Sequence, residues 1–202
     1  MGVGMDFQKP YGCMVVDMGA GVTDIAVLAS GQVIEAASVC YGGDYFDDAI
    51  IRYLRKKHNL LIGERSAEEV KITLGTAIPP MSPLTEDVTG RDLLSGLPKT
   101  LAVSSAEIYE ALKDAVADLI ESIQSVLERT PPQLASDIFE DGIVLTGGAA
   151  SLAGLPEAIY NELHIPCGVA DDPQTSVVLG CGRALDNLNA YKSVLSDSRR
   201  FR

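Results

Sequence analysis

Histidine is almost missing from this chain. His58 and His164 are the only two, and they lie far apart in sequence. Four cysteines, Cys13, Cys40, Cys167 and Cys181, are widely spaced with no C-x-x-C pair. A zinc cage needs clustered His and Cys ligands, so this composition argues against one. The cysteines read as small buried hydrophobes of a reducing compartment. Spacing alone leaves a Ser–His–Asp triad open, but neither histidine sits in a recognisable motif, and each reads as a surface residue near a helix end. Positive charge is also scarce. Sixteen Lys and Arg face 28 Asp and Glu, giving a net charge of −12 and no basic patch for nucleic acid. No apolar run approaches the roughly 18 residues of a membrane-spanning helix, and Met1–Pro10 lacks the basic and apolar segments of a secretory signal. There is no internal repeat, no G-x-x-x-x-G-K-[ST] loop and no G-x-G-x-x-G fingerprint.

Hydrophobic residues make up 47% of the 202, enough for one compact core, with or without an insertion. The most informative stretch is Cys13–Leu28. Met14, Val15 and Val16 read as one strand and Ile25–Leu28 as a second. Between them lie Gly19 and Gly21, with Asp17 before and Thr23 and Asp24 after. Glycines at a hairpin tip allow a sharp turn and close approach to a ligand. Successive backbone N–H groups there form an anion-binding concavity, and Asp17 adds a carboxylate suited to hydrated Mg²⁺. The same residues also fit an ordinary hairpin with a glycine bulge.

Ser30-Gly31 is a second turn and Gln32–Cys40 a third strand, completing an antiparallel meander. Tyr41-Gly42-Gly43-Asp44 is either a simple strand-to-helix turn or a loop under a nucleotide. Asp44 is the expected N-cap of a helix reaching about Lys57, with Phe46, Ile50, Ile51 and Leu54 buried. Asn59–Gly63 reads as a loop. Ser66 and Glu69 have capping-box spacing for a helix ending at Gly75, on which Glu68 and Lys71 share a face. That pair is either a surface ion pair of little weight or a contact for a ribose hydroxyl and a base edge.

Leu84–Thr89 and Lys99–Val103 read as a hairpin across Gly90–Pro98. Ser104 and Glu107 form a second capping box, opening the longest helix, about Ser105 to Arg129, which Pro131-Pro132 ends. Gly142–Ala150 then repeats the strand-into-glycine-turn pattern. A helix with Pro156 in its first turn, a strand Pro166–Val169 and a helix from Asp172-Pro173 follow. In that helix Gly180 and Gly182 suggest close packing. From about Asn189 the chain turns polar. The order is α/β, with glycine turns delivered to one sheet edge, where ligands favour binding.

Asp17-Met18-Gly19-Ala20-Gly21-Val22-Thr23-Asp24 resembles the second phosphate hairpin of the actin-like ATPases. Further segments narrow the likeness: Gly42–Asp47, Leu61–Lys71, Gly90–Leu93, Gly96–Lys99, Pro131–Ile138 and Val144–Gly148 are all similar to the MreB family, bacterial actin-like proteins that organise wall synthesis. The likeness covers about Gly2 to Leu188. It implies one lobe of the actin-like (ribonuclease H-like) ATPase fold with a small inserted α+β subdomain. Residues 1–44 and 106–190 would form the larger subdomain, 45–105 the inserted one, and 191–202 a polar tail.

By the same resemblance Asp17 would hold Mg²⁺ through water, and Gly19, Ala20, Gly21, Val22 and Thr23 would wrap the phosphates of ATP, with Thr23 near the attacking water. Of Glu68, Glu69, Val70 and Lys71, the first and last would contact ribose and adenine, and Gly147, Gly148, Ala149 and Ala150 would line the adenosine side. Filament partners (copies of itself or longer relatives), the wall-elongation machinery and a cytoplasmic position at the inner membrane face are implied too, with only indirect membrane contact.

The hairpin departs from the family's usual Gly-Gly-Gly-Thr-Thr, although actin shares Gly-Val-Thr. A positive φ at Ala20 would cost roughly 1 kcal/mol or more. Gly147-Gly148-Ala149 also lacks a usual third glycine. The resemblance reaches only the family's second lobe, without the first phosphate hairpin or the glutamate that positions water. That leaves three expectations: a nucleotide-binding lobe with negligible turnover, a non-enzymatic module that caps or joins filaments, or a truncated product.

Overall fold

The computed structural model describes residues 2–6 and 8–186; the expected polar tail at 191–202 lies outside them. Strands β1 (Cys13–Met18), β2 (Thr23–Ala29) and β3 (Gln32–Val39) form the expected meander. Period-two alternation sends Met14, Val16 and Met18 of β1, and Ile25 and Val27 of β2, into the core. Ser30 and Gly31, with φ of 51° and 75°, make the tight turn between β2 and β3. Two parallel strands, β7 (Ile143–Thr146) and β8 (Cys167–Val169), extend the sheet to the order β3-β2-β1-β7-β8. β3 is an edge, and its Val33 and Ile34 are exposed.

Helix α1 (Gly43–His58) leaves β3, and α3 (Ser105–Arg129) packs against α1, β2 and β3. Ile108, Leu112, Leu119, Ile123 and Val126 of α3 are fully buried at helical spacing. The expected capping box is present. The Glu107 N–H donates to Ser104 Oγ at 3.4 Å, and the Ser104 N–H donates to Glu107 Oε2 at 3.1 Å. A second, three-stranded sheet, β4-β5-β6, consists of Leu60–Leu61, Thr85–Asp92 and Pro98–Ser104, with α2 (Glu64–Leu74) beside it.

Several local expectations need correction. Asp44 does not cap α1: the helix starts at Gly43 with Gly42 as N-cap, so Asp44 stands in the first turn, where a carboxylate suits the helix dipole. Ser66 does not cap α2 either. Gly63 does, which leaves Ser66 a turn inside the helix. Asn59–Gly63 is not all loop, because Leu60–Leu61 pairs with Arg91–Asp92. Pro131-Pro132 ends α3 but also opens α4 (Pro132–Asp141), for which Pro132 supplies a preset φ in the first turn.

Helix α5 (Leu155–Leu163) follows β7, and α6 (Ser176–Asp186) begins later than Asp172. Among the described residues nothing lies within 4 Å of a Cβ placed on Gly182 of α6, contrary to the close packing expected there. The cysteines are only partly the buried hydrophobes expected: Cys40 and Cys181 are exposed and Cys13 and Cys167 half-buried, all unpaired. Burial pushes the Cys167 thiol up to about 12. His58 and His164 do sit at helix ends, but His58 is turned inward onto Glu107.

Candidate nucleotide cleft

The β1–β2 hairpin closes on itself through the Gly19 N–H, which donates to Val22 O at 2.9 Å. Its outer carbonyls then receive the start of α1. Gly43 N–H donates to Gly19 O at 3.0 Å and Asp44 N–H to Ala20 O at 2.8 Å. A Cβ on Gly42 would lie 2.3 Å from Ala20 O, so the helix reaches the hairpin this closely only with glycine there. The strand-to-helix turn is as expected, with Gly42 a packing requirement of it, and Gly43 lines a cleft. Ala20 is not among the residues with positive φ, so the departure from glycine carries no left-handed strain.

The cleft encloses about 750 Å³, within the range of small-molecule sites. Its walls are the hairpin tip (Gly19, Ala20), the first turns of α1 (Gly43, Asp44, Asp47), one face of α2 (Glu64, Glu68, Lys71) and, after β7, Gly148, Ala149 and the segment Ser151–Ala153. Gln174 enters from the loop before α6. Pro173 holds that loop in place, its carbonyl accepting from Gly147 N–H at 2.9 Å and Thr146 Oγ at 3.0 Å.

Of the residues singled out in the sequence, Gly19, Ala20, Gly43, Asp44, Glu68, Lys71, Gly148 and Ala149 meet in this cleft. The others do not line it. A helix turns by roughly 100° per residue, so Glu69 and Val70 cannot share the face of Glu68 and Lys71. Glu69 points outward to Arg65 at 3.2 Å, and Val70 is in the core. Ala150 is likewise fully buried. Gly21 and Val22 are exposed at the tip. Thr23 is fully buried and its hydroxyl donates to Tyr41 O at 2.9 Å, which braces β2 against the approach to α1. Gly147, at φ 84°, lies behind the hairpin. A Cβ there would meet Met18 O at 2.3 Å and Asp17 Oδ1 at 2.7 Å.

Asp17 faces Asp24 across the β1–β2 ladder. Burial and the Asp24 charge push its carboxyl above the ordinary range. Among the described residues no group of three or more His, Cys, Asp or Glu could hold a metal. Asp17 stands as a single carboxylate next to the hairpin and outside the cleft lining; Mg²⁺ of the nucleotide-bound kind calls for one carboxylate, water and ligand phosphates.

Sequence reading missed Asp47 as a cleft residue. It stands one turn beyond Gly43 and is 8% exposed. Its Oδ2 accepts from Lys71 Nζ at 2.9 Å, and the same ammonium donates to Gly43 O at 3.0 Å. Asp47 Oδ1 is buried without a partner among the described residues. Burial drives its carboxyl upward more than Lys71 draws it down, and Glu68 and Asp44 add to the rise. The helical spacing from Gly43 was a usable signal for Asp47. Gln174 had none.

Two sheets carrying this cleft at the end of a parallel strand pair and a glycine hairpin define an actin-like lobe. The solved structure of MreB5 of Spiroplasma citri bound to ADP superimposes with a TM-score of 0.89 at 32% identity, over 96% of this chain and 58% of that one. A MamK double helical filament gives 0.73 at 21% identity, a likeness of fold. The family model for MreB/Mbl protein matches residues 1–193. The chain belongs to the MreB/Mbl family of actin-like, cell shape-determining proteins. It is 43% identical over 189 residues to the cell shape-determining protein Mbl of Bacillus subtilis, and 41% identical over 191 residues to MreB of Escherichia coli. It spans 57% and 55% of those relatives, little more than half their length.

Proposed function

We propose that the cleft binds an adenine nucleotide with Mg²⁺, as one wall of the site of a filament-forming ATPase that guides wall synthesis and rod shape. The observation that carries this reading is convergence. The glycine hairpin, the Glu68/Lys71 face of α2 and the turn at Gly148 come from three distant parts of the chain and bound one cleft. The MreB5 structures with ADP and AMPPNP support it by likeness. Backbone groups of Gly19 and Ala20 would face phosphate. Asp17 would hold the Mg²⁺ hydration shell, and the metal would neutralise charge on the phosphates. Glu68 would reach the ribose. On this reading the chain assembles with copies of itself or longer relatives, at the inner face of the cell membrane and beside the wall-elongation machinery.

Phosphoryl transfer depends on clamping the phosphates from several sides, and the described residues supply one hairpin. The 202-residue chain is therefore expected to bind Mg²⁺-ATP weakly and to hydrolyse it negligibly. Calorimetric titration with Mg²⁺-ADP and Mg²⁺-ATP, alongside a phosphate-release assay, tests this. No heat of binding at millimolar nucleotide would end the reading. Sustained turnover abolished by Asp17→Ala would show instead that these residues form a complete catalytic site.

A further inference from the structure

We propose that Asp47 is a positioning residue of this cleft, holding the Lys71 ammonium in place so that one N–H faces a ribose-side oxygen of the ligand. This rests on the nucleotide reading above. Lysine at this place has four carbons of free rotation. Here two of its three donors are fixed, one on Asp47 Oδ2 at 2.9 Å and one on Gly43 O at 3.0 Å. Gly43 is itself bonded to Gly19 of the hairpin, and a Cβ on Gly43 would lie 3.3 Å from Lys71 Nζ and 3.7 Å from Ala20 Cα. The ammonium is thereby tied to the hairpin's own frame, at the wall of the cleft that Glu68 shares. With two donors committed and Lys71 lining the cleft, the third is left for a ligand oxygen.

Asp47 is an expensive way to hold a lysine if stability alone is served. Its Oδ1 is buried with no partner, and its carboxylate is drawn toward the neutral form by burial. A buried acceptor without a hydrogen bond disfavours the fold. What the carboxylate provides is a fixed Nζ, and a pre-placed donor loses less freedom when a ligand arrives.

The test is Mg²⁺-ADP affinity of the whole chain and of Asp47→Ala, Lys71→Ala and the double variant, with melting temperature measured for each. The expected result is a loss of about tenfold for either single variant, from one charge-assisted hydrogen bond, and no further loss in the double variant. Asp47→Ala should melt close to wild type, because Lys71, with its side chain 14% exposed at the cleft wall, keeps its bond to Gly43 O at 3.0 Å. A purely structural Asp47 would lower melting temperature and affinity together, with additive losses. Asp47→Asn keeps the shape and one acceptor, and should lose several-fold without adding to Lys71→Ala; it decides the matter should the alanine variant not fold. Wild-type affinity in Asp47→Ala or Asp47→Asn, or additive losses, overturns the positioning role. Absence of ADP binding to the wild type overturns the nucleotide reading itself.

Discussion

A carboxylate meets helix α1 near each end, Asp47 from the helix itself and Glu107 from α3, and the two are built to opposite purposes. At its C-terminal end, Glu107 takes Lys57 Nζ at 3.0 Å and His58 Nε2 at 2.8 Å on one oxygen. Its other oxygen accepts the Ser104 N–H and hydroxyl at 3.1 and 3.2 Å. At the N-terminal end, Asp47 has Lys71 on one oxygen and nothing on the other. Burial opposes ionisation at both. At Glu107 the Lys57, Ser104 and His58 donors outweigh it and hold the carboxyl down at about 2. At Asp47 they do not, and the carboxyl rises. Donor count decides the sign. The end that only ties α1 to α3 is saturated with donors, whereas the end that faces the cleft is left short of them.

The sharpest way to break the cleft end is through its backbone. Gly42→Ala would drive a Cβ to 2.3 Å from Ala20 O and 2.7 Å from Gly19 O. Both are backbone atoms of the hairpin, so neither can rotate away. A loss of about 3 kcal/mol or more is expected, as for severe overpacking. Urea denaturation measures it. Gly21→Ala is the control, since its nearest atom is Asp44 Oδ2 at 3.8 Å. Equal stabilities for the two variants would refute the close approach of hairpin and helix.

Next in size is an asymmetry within the Asp47–Lys71 pair. Lys71→Ala strands a carboxylate that is 8% exposed and should cost about 3 kcal/mol. Asp47→Ala removes the group with the unpartnered oxygen and should cost less than about 1 kcal/mol. The sign with pH follows from the raised carboxyl of Asp47. A raised group favours the fold below its unfolded value of 3.8 and loses that contribution as pH climbs through the folded value. Lys71→Ala raises it further, so its deficit should narrow as pH is lowered from 7 toward 4. Equal losses for both alanine variants would mean that the pair is an ordinary ion pair.

The same contrast explains what could be read in the sequence. The Ser104–Glu107 box was legible because its logic is local: a cap, a partner three residues on, then an apolar stripe running to Arg129. The hairpin was legible because β1 and β2 alternate around two glycines. Ser66 had the same local spacing and failed, because Gly63 already lets the chain enter α2 three residues earlier. Helix α4 was hidden by Pro132, whose role as an opener looks in sequence like a stop. The cleft was half legible. Glu68 and Lys71 share a helix face by spacing, but the partner of Lys71 lies 24 residues away on another helix. No local rule joins Asp47 to Lys71, nor brings Gln174 to the same wall.

The smallest of these effects belongs to the saturated end, and pH makes it separable. Glu107→Ala removes half of the capping box together with the contacts to Lys57 and His58. A loss of about 1–2 kcal/mol at pH 7 is expected, the range of helix caps with a charged hydrogen bond. The folded carboxyl sits at about 2 against 4.5 when free. A depressed group contributes its stability in full above the free value and loses it as pH falls through the folded one. The gap between wild type and Glu107→Ala should therefore hold from pH 7 to about 5 and shrink steadily below 4.5. This is the reverse of the trend at Asp47 only in its cause: there a deficit narrows because the stranded acid is neutralised, here because wild type loses the charge its donors were holding. Urea midpoints for both proteins between pH 7 and pH 3 measure it. A gap that stays constant to pH 3 would mean that Glu107 stabilises through packing and cap geometry alone. The two ends of α1 would then differ in shape and not in the electrostatic balance assigned to them.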